Sequence, residues 1–264
     1  MKESSIHFMS TTIRYPDLAG KVAVVTGGSR GIGAATAQAL AHNGVSVAVV
    51  GRDQVAVDAV ADGIILQGGR AIGIAADCTQ EADVERLQDT VANELGSADL
   101  LAVFAGGNGM PIPSAKETPS HWREVLETNL TSAFMTISAF LPGMLGQKSG
   151  VIITMSSAAA RQAAQSSLVY AAAKGGIVAL SRHLALELAK DGIRVNCIAP
   201  SAIETDRMRS WVSEEQREAL GQAFPLGRVG QPGDIAAAAL VLASSASSWI
   251  TGVTLDIAGG KVML

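Results

Sequence analysis

Tyr170 and Lys174 are the residues whose types and spacing most readily suggest chemistry. They stand four positions apart in VYAAAKGG, so on a helix they would project from the same face, one turn apart. A free phenol has a pKa of about 10, and a nearby ammonium stabilises the phenolate and lowers that value. Such a pair could exchange a proton with a substrate. Taken alone, the spacing also fits a surface helix with an extended lysine.

Two kinds of polar residue elsewhere in the chain could assist this pair. Ser157 ends the run IITMSS, so its hydroxyl is expected in a crevice at a strand end, where it could bond a substrate oxygen that gains negative charge. Ser156 is expected to face the opposite side, because alternate strand residues do. Asn129 interrupts the apolar face of a predicted helix, and a buried amide needs hydrogen-bond partners. The serines could instead satisfy a turn, and Asn129 could be purely structural.

These residues belong to a chain in which apolar runs alternate with segments long enough for helices. The apolar runs are KVAVVTG, VSVAVVG, AIGIAAD, DLLAVFAG, GVIITMSS, IRVNCIAP and GVTLDIAGG. They are nearly continuous, which is typical of strands covered on both faces. The helical segments include 31–43, 80–95, 120–145, 168–190 and 233–246. The alternation predicts an α/β protein with a Rossmann-like, doubly wound, seven-stranded parallel sheet and helices on both faces. One domain at 21–264 would follow an N-terminal arm at 1–20.

A glycine-rich turn, TGGSRGIG at residues 26–33, follows the first predicted strand and opens the first helix. Gly27 permits a tight exit from the strand, and Gly31 lets the backbone approach a pyrophosphate. Gly33 allows the helix to pack closely on the sheet. The helix N-terminus offers unpaired N–H groups and a partial positive charge to phosphates. A merely tight turn is the alternative, but the strand before and the helix after it favour a dinucleotide site.

The end of the second predicted strand, VAVVGRD, indicates which dinucleotide is bound. In NAD-preferring folds a carboxylate near this end bonds the ribose hydroxyls. Here Gly51 leaves room and Arg52 follows, while Arg30 can approach from the glycine-rich turn. Two guanidiniums suit a 2′-phosphate. Asp53 is the counter-argument, but we expect it to cap the next helix. NADP(H) is therefore favoured, with NAD(H) as the alternative.

The spacing T-G-x-x-x-G-I-G resembles the short-chain dehydrogenase/reductase family, and the resemblance covers about residues 20–260. Asp77, Asn129, Ser157, Tyr170 and Lys174 follow in the family's order. The chain is similar to members of the 3-oxoacyl-carrier-protein reductase type. The resemblance implies an enzyme that interconverts a ketone and a secondary alcohol by hydride transfer.

The resemblance also implies a role for each of the four catalytic positions. Ser157 would polarise the carbonyl, and Tyr170 would act as the acid and base. Lys174 would lower the pKa of Tyr170 and bond the nicotinamide ribose. Asn129 would hold a water that links Lys174 to solvent.

Further residues are expected to hold the cofactor. Asp77 would bond the adenine amino group with help from the backbone of Cys78, although Asp77 could also cap the helix at Gln80. Thr205 would place a hydroxyl on the carboxamide. The complete expected set is Gly27, Ser29, Arg30, Gly31, Ile32, Gly33, Arg52, Asp77, Cys78, Ala105, Gly106, Tyr170, Lys174, Pro200, Ile203 and Thr205.

Three positions depart from the family pattern. Phe104 stands where the family usually has an Asn that braces the sheet, and Asn108 could replace some of its hydrogen bonds. Ser201 stands where the family usually has Gly. Ala258 replaces an acid that is common before the terminal Gly-Gly.

Composition restricts the partners that the chain is expected to bind. A net charge of -4 without a basic run argues against nucleic acid as the main partner. Cys78 and Cys197 lie far apart with no CxxC or His-rich neighbourhood, so no disulfide framework and no metal site is expected. No apolar run is long enough to cross a bilayer. We expect a cytoplasmic protein that acts on a small-molecule carbonyl or alcohol.

Residues 204–224 mix Met208, Trp211 and Phe224 with charged side chains, a pattern that predicts an amphipathic helical lid over the substrate. An apolar or amphipathic carbonyl compound would suit it, although the same residues could contact a subunit. The resemblance implies a homotetramer packed through the helices that begin near Ser120 and Leu168. A non-catalytic dinucleotide-binding sensor or interaction protein is the alternative function. The four filled catalytic positions argue against that alternative.

Overall fold

A parallel β-sheet organises the part of the chain that the computed structural model describes, residues 14–107, 111–163 and 166–263. Its seven strands, β1 to β7 in chain order, are Val22–Thr26, Ser46–Gly51, Arg70–Ala75, Leu100–Val103, Gly150–Met155, Ile193–Pro200 and Thr254–Ile257. The spatial order is β3-β2-β1-β4-β5-β6-β7, and every neighbouring pair is parallel. All seven predicted strands and the doubly wound sheet are confirmed. The direction of winding reverses between β1 and β4, where such sheets open a ligand-binding crevice.

Strand register brings the carboxyl ends of the central strands to one edge of the sheet. Thr26 pairs with Val50 on one side and with Val103 on the other. Met155 pairs with Ile198. The residues that follow these strands therefore meet along the same edge, which is where the sequence places the glycine-rich turn and the serines.

Helices cover both faces of the sheet. Within the described residues, α1 to α9 are Gly31–His42, Gln54–Leu66, Glu81–Glu94, Pro119–Leu126, Ser132–Gln147, Leu168–Leu188, Asp206–Trp211, Glu214–Gly221 and Pro232–Ala243. No helix in this described part is both long enough and apolar enough to cross a membrane. Four of the predicted helical segments agree with α1, α3, α6 and α9 to within three residues at each end.

The predicted helix at 120–145 is helical throughout, but it contains a π-helical turn that the prediction did not include. A π-helical turn, Glu127–Thr131, separates α4 from α5. Asn129 lies in this turn, and its side-chain amide donates to the carbonyl of Val125 and to that of Gly107 beyond β4. Single π-helical turns often occur at functional sites. The extra residue in this turn lets the Asn129 amide reach the loop after β4.

Two apolar cores explain why the strand sequences are continuous rather than alternating. On β1, Ala23 and Val25 point into one core, which α1, α2 and α9 cover. Val22 and Val24 point into the other, which α3, α5 and α6 cover. Because both faces of the sheet are buried, successive positions of a strand must all be apolar.

The expected N-terminal arm is described only from residue 14 onward, and its remainder lies outside the described residues. Pro16–Leu18 forms a short 3-10 helix, and Leu18 is buried in the core beside α1. Asp17 accepts a hydrogen bond from the N–H of Ser245 at 2.7 Å. Residues 14–20 therefore pack onto the domain.

Candidate active site

A crevice of about 560 Å³ opens at the carboxyl ends of β1, β2 and β4. Many residues of the expected cofactor set line it, namely Gly27, Ser29, Arg30, Gly31, Ile32, Gly33, Arg52, Asp77, Cys78, Ala105, Gly106 and Thr205. The crevice thus runs from the glycine-rich turn past the end of β2 to the loop after β4. Its size and its length along the sheet edge suit an extended dinucleotide.

The glycine-rich turn has the geometry that phosphate binding needs. Gly31 has a φ of +55°, and a Cβ there would lie 3.1 Å from the methyl group of Thr205. A Cβ on Gly33 would overlap the carbonyl oxygen of Gly27. Helix α1 begins at Gly31, and its N-cap residue, Arg30, makes no side-chain cap. The N–H groups of the first turn are left for a ligand, so this end of the crevice fits a pyrophosphate.

Two arginines flank the end of β2. Arg30 and Arg52 are exposed and line the crevice, and among the described residues neither forms a salt bridge. Asp53 caps α2 by accepting a hydrogen bond from the N–H of Ala56 at 3.3 Å, as predicted. The space beside Gly51 is occupied by Ser29, whose Cβ lies 3.2 Å from where a Cβ on Gly51 would stand.

Asp77 and Cys78 line the crevice beyond β3, on the side expected for adenine. Oδ1 of Asp77 accepts hydrogen bonds from the N–H and the hydroxyl of Thr79, at 3.0 and 2.8 Å. The N-cap of α3 is Gln80, so the alternative in which Asp77 caps that helix was wrong. The local turn with Thr79 occupies only Oδ1. Burial raises the pKa of the Cys78 thiol, which therefore stays protonated.

The predicted tyrosine–lysine pair lies at the N-terminal end of α6. Ser167 caps this helix by accepting from the N–H of Tyr170. The Lys174 side chain is 3% exposed, and its Nζ lies 5.7 Å from the centre of the Tyr170 ring. That Nζ donates to the carbonyl oxygen of Met155 at 3.0 Å. The pair is therefore anchored to the end of β5.

The two serines after β5 have different surroundings, as expected from the alternation of strand residues. Ser156 is buried, and its hydroxyl donates to the carbonyl oxygen of Lys174 at 2.8 Å, which ties the strand end to α6. The Ser157 hydroxyl accepts from the N–H of Ala159 at 3.2 Å. Its interaction with the Tyr170 side chain lowers the phenol's pKa, against the larger effect of burial. Ser157, Tyr170 and Lys174 therefore lie near one another beside Met155 and Gly106, which line the crevice, but none of the three lines it.

Burial has the largest effect on the pKa values of Tyr170 and Lys174. It raises the pKa of Tyr170, against the lowering effects of the Ser157 hydrogen bond and of the Arg207 charge. It also lowers the pKa of Lys174 from 10.5 to about 8. The expectation that Lys174 makes the phenol more acidic is not met by the protein alone, because desolvation penalises the phenolate and the ammonium alike.

Asn129 is 1% exposed and fully engaged with backbone groups. Its Oδ1 accepts from the N–H of Gly107 at 3.0 Å, and its Nδ2 donates to the carbonyl of Gly107 at 3.1 Å. A Cβ on Gly106 would lie 2.6 Å from that Oδ1 and 3.3 Å from Nζ of Lys174. Asn129 thus holds the loop after β4 directly beside the lysine. The structural alternative accounts for all of these bonds.

Four members of the expected cofactor set, Tyr170, Lys174, Pro200 and Ile203, do not line the crevice, and the Thr205 hydroxyl is engaged elsewhere. Pro200 ends β6 and is buried, and Ile203 is buried where it pairs with Gly230, so neither lines the crevice. The Thr205 hydroxyl caps α7 by accepting from the N–H of Met208. Only its methyl group faces the glycine-rich turn, at Gly31.

The departures from the family pattern have local explanations. Phe104 packs into the core beside α1, and the buried Thr26 hydroxyl accepts from the N–H groups of Phe104 and Ala105 at 3.0 and 3.1 Å. Asn108 lies outside the described residues. Ala258 is buried against Ala158, the residue after Ser157. Ser201 lies beside Ala258 in a smaller cavity of about 150 Å³.

Arg207 is one of several crevice residues that sequence reasoning missed. It lies in the first turn of α7 and lines the crevice, as Glu124 and Thr128 also do. The predicted lid at 204–224 contains it, as two short helices, α7 and α8, rather than one. Ser213 is the N-cap of helix α8 and forms a capping box with Gln216, which separates the two helices. The basic residue two positions after Thr205 was the feature of the sequence that could have indicated this side chain.

Comparison with known proteins extends these observations to nearly the whole chain. A family model described as enoyl-(acyl carrier protein) reductase matches residues 27–261. The chain is 36% identical over 249 residues to 3-oxoacyl-(acyl-carrier-protein) reductase FabG of Vibrio cholerae. The alignment covers 94% of this chain and 100% of the relative. It is 38% identical over 246 residues to 7α-hydroxysteroid dehydrogenase of Escherichia coli, which covers 93% and 95%.

Solved structures give the same result. A 7α-hydroxysteroid dehydrogenase complexed with NADH and 7-oxo glycochenodeoxycholic acid superposes with a TM-score of 0.89 at 37% identity, covering 95% of this chain and 97% of the other. A 3-oxoacyl-(acyl-carrier protein) reductase from Brucella melitensis with bound NAD gives a TM-score of 0.87 at 33% identity, covering 100% and 99%. The crevice described above therefore belongs to a fold whose solved relatives hold a nicotinamide dinucleotide.

Proposed function

The chain belongs to the short-chain dehydrogenase/reductase family, and we propose that it interconverts a ketone and a secondary alcohol with NADP(H), using Tyr170 as acid and base. An NAD(P)-dependent oxidoreductase activity follows from membership of the family. One observation carries the proposal furthest. The Ser157 hydroxyl lies near the Tyr170 side chain, and Nζ of Lys174 bonds Met155 and lies beside Gly106, two residues that line the same crevice as the glycine-rich turn.

Each of these side chains has a distinct part in the proposed reaction. The carbonyl carbon accepts a hydride from the reduced nicotinamide, and the carbonyl oxygen accepts a proton from Tyr170. The Ser157 hydroxyl donates a hydrogen bond to that oxygen while negative charge develops on it. Because burial holds the pKa of Tyr170 above its ordinary value, the phenol is protonated and ready to donate at neutral pH. Oxidation of the alcohol reverses each transfer.

Lys174 and Asn129 are proposed to support this proton transfer without contacting the reacting carbonyl group. Nζ of Lys174 keeps donor capacity beyond its bond to Met155, so it can also bond a ribose hydroxyl of the cofactor. Asn129 fixes the loop after β4 beside Lys174, and the proposed water-linked relay between that lysine and solvent would pass along this loop. A buried amine with a pKa of about 8 exchanges protons readily near neutrality.

The preference for NADP(H) over NAD(H) rests on charge at the end of β2. Arg30 and Arg52 line the crevice there without a carboxylate partner in the described part of the chain. Guanidiniums bind a 2′-phosphate through paired charged hydrogen bonds. Asp53, the nearby carboxylate, is engaged as the cap of α2.

A substrate panel tests the proposal. Oxidation of NADPH and of NADH is followed with simple ketones, β-keto esters, a steroid ketone, a sugar and an enoyl thioester. We expect reduction of at least one carbonyl compound and a higher kcat/KM with NADPH. Reduction of the enoyl thioester alone would show that the chain reduces a carbon–carbon double bond and would contradict the proposed reduction of a carbonyl. Dinucleotide binding without any turnover would favour the non-catalytic alternative.

Assembly and location are also proposed. A homotetramer is supported by apolar side chains that α5 and α6 leave exposed, among them Phe134 at 56% and Leu186 at 83%. Light scattering on the purified chain would give four times the monomer mass, and a monomer at micromolar concentration would contradict the assembly. The buried thiols of Cys78 and Cys197 are unpaired, which supports a cytoplasmic location.

A further inference from the structure

Arg207 reaches across the mouth of the crevice. It lies in the first turn of α7, and its Nη1 is 2.8 Å from the position that a Cβ on Gly107 would take. Gly107 belongs to the loop that Asn129 holds beside Lys174. The guanidinium therefore connects α7 with the wall of the crevice that carries the catalytic end, and the absence of a side chain at Gly107 is what gives it room.

The charge of Arg207 has no counter-ion in the described part of the chain, although acidic residues lie next to it in sequence. Glu204 is already engaged, because it accepts from Arg209 at 3.2 Å and from Gln231 at 2.7 Å. Asp206 is exposed and contacts Arg209. A partly buried guanidinium without a carboxylate is an unusual arrangement, because desolvation penalises an unpaired charge.

An aromatic ring holds this guanidinium in place. Its central carbon lies 4.8 Å from the centre of the Trp211 ring, one turn further along α7. A cation–π contact restrains the plane of the guanidinium and leaves its N–H groups available. The planar fork then presents two parallel donors, the geometry that binds a carboxylate.

The position of Arg207 indicates that its guanidinium binds the substrate rather than the phosphates of the dinucleotide. Thr205 packs against the glycine-rich turn at Gly31, where the first turn of α1 serves the pyrophosphate. Arg207 lies two residues further along, and its Nη1 approaches Gly107, the neighbour of Gly106, which lies beside Nζ of Lys174. It therefore lies towards the reacting end of the crevice.

We propose that Arg207 binds a carboxylate of the substrate, so that the chain prefers short oxo acids to the corresponding neutral esters. The inference rests on the proposed carbonyl reduction and specifies its substrate class. With the carbonyl oxygen at Tyr170 and Ser157, the carboxylate lies within a few bonds of the reacting carbon. A β-oxo acid, or the matching hydroxy acid in the reverse direction, has this arrangement. The transfers of hydride and proton are those given above.

Paired substrates and paired variants test the inference. kcat/KM is measured for acetoacetate and for its methyl ester at saturating NADPH, in the unmodified chain, in Arg207→Gln and in Arg207→Lys. Arg209→Gln is the matched control, since Arg209 is exposed on the same helix. We expect Arg207→Gln to lower kcat/KM for the acid about 10- to 100-fold, the effect of one lost charged pair, and to change the ester less than about 3-fold. Arg207→Lys restores part of the loss, and Arg209→Gln changes neither value.

Binding measurements keep the inference separate from the proposed reaction. Calorimetry compares 3-hydroxybutyrate with its methyl ester in the presence of NADPH, with which neither alcohol can exchange a hydride, so the result does not depend on turnover. Tighter binding of the acid that is lost in Arg207→Gln supports the inference even if neither ketone is reduced. An equal loss for acid and ester, or no preference for the acid, overturns it. Weaker binding of NADPH by Arg207→Gln, with the acid preference intact, would assign Arg207 to the cofactor and also overturn it.

Discussion

Replacement of Lys174 by Met should change how the stability of the protein depends on pH. Lys174 is 3% exposed and its ammonium has no carboxylate partner within the described residues. Burial lowers its pKa from 10.5 to about 8. Between these two values the unfolded chain binds a proton that the folded chain does not. Stability therefore rises with pH through this window, and it is lowest below pH 8, where both states are protonated.

The size of the effect follows from the two pKa values. A pKa lowered from 10.5 to about 8 corresponds to about 3 kcal/mol of unfolding free energy, since each pKa unit is worth about 1.4 kcal/mol. About 2 kcal/mol of this is regained between roughly pH 7 and pH 10. Methionine has a similar length and no proton to lose, so Lys174→Met removes this dependence. It also removes the hydrogen bond to Met155, which shifts stability equally at all pH values.

Urea unfolding at several pH values between these limits provides the assay, with the unmodified chain and Lys174→Met measured side by side. Tyr170 and the two cysteines have raised pKa values and titrate in the opposite direction. They are present in both proteins, so the difference between the two curves reports Lys174 together with its smaller charge interaction with Cys197. We expect that difference to move by about 2 kcal/mol in favour of the unmodified chain as pH rises. Parallel curves would show that the lysine stays charged when folded, and would refute the reasoning.

Three further changes have expected outcomes. Gly33→Ala places a methyl group onto the Gly27 carbonyl oxygen, so it should weaken NADPH binding at least about 10-fold in a fluorescence titration; unchanged binding would contradict the tight turn. Asp256→Asn removes the charge that Arg161 bonds at 2.9 and 3.0 Å between β7 and the segment after Ser157. It should lower the free energy of unfolding by about 1–3 kcal/mol in urea, and a loss below the error of that measurement would count against a stabilising pair. Arg52→Ala should raise the Kd for NADPH about 10-fold and leave that for NADH unchanged, and equal effects on both would remove the proposed phosphate contact.

Features that depend on local pattern were predictable from the sequence. The seven strands could be identified because burial on both faces makes their residues continuously apolar, as Val22 to Val25 show. The glycine-rich turn was predictable because only glycine fits at positions 31 and 33, so the glycines themselves mark the turn in the sequence. At Gly31 and Gly33 neighbouring backbone and side-chain atoms leave no space for a Cβ. The cap at Asp53 was predictable because it is also a local contact. Asp53 accepts a hydrogen bond from an N–H only three residues away.

Features that depend on contacts between distant segments were not predictable. The π-helical turn contains Asn129, which bonds Gly107, 22 positions earlier, and local sequence pattern does not indicate that contact. The raised pKa of Tyr170 reflects how much water the folded chain removes from the phenol, and spacing does not contain that information. Arg207 was missed because its place beside Gly107 depends on where α7 packs. Sequence spacing thus identified the chemical groups, whereas their acidity and their further neighbours follow from the packing.

The central claim is that the Tyr170 hydroxyl exchanges the proton of the reaction, and Tyr170→Phe tests it most directly. Phenylalanine keeps the ring against Lys174 and removes only the hydroxyl. Single-turnover reduction of the best carbonyl substrate is measured with both proteins equally loaded with NADPH, as judged by fluorescence. The account predicts that the rate falls at least about 100-fold while the Kd for NADPH changes less than about 3-fold. A rate within about 3-fold of the unmodified chain at equal NADPH occupancy would contradict it.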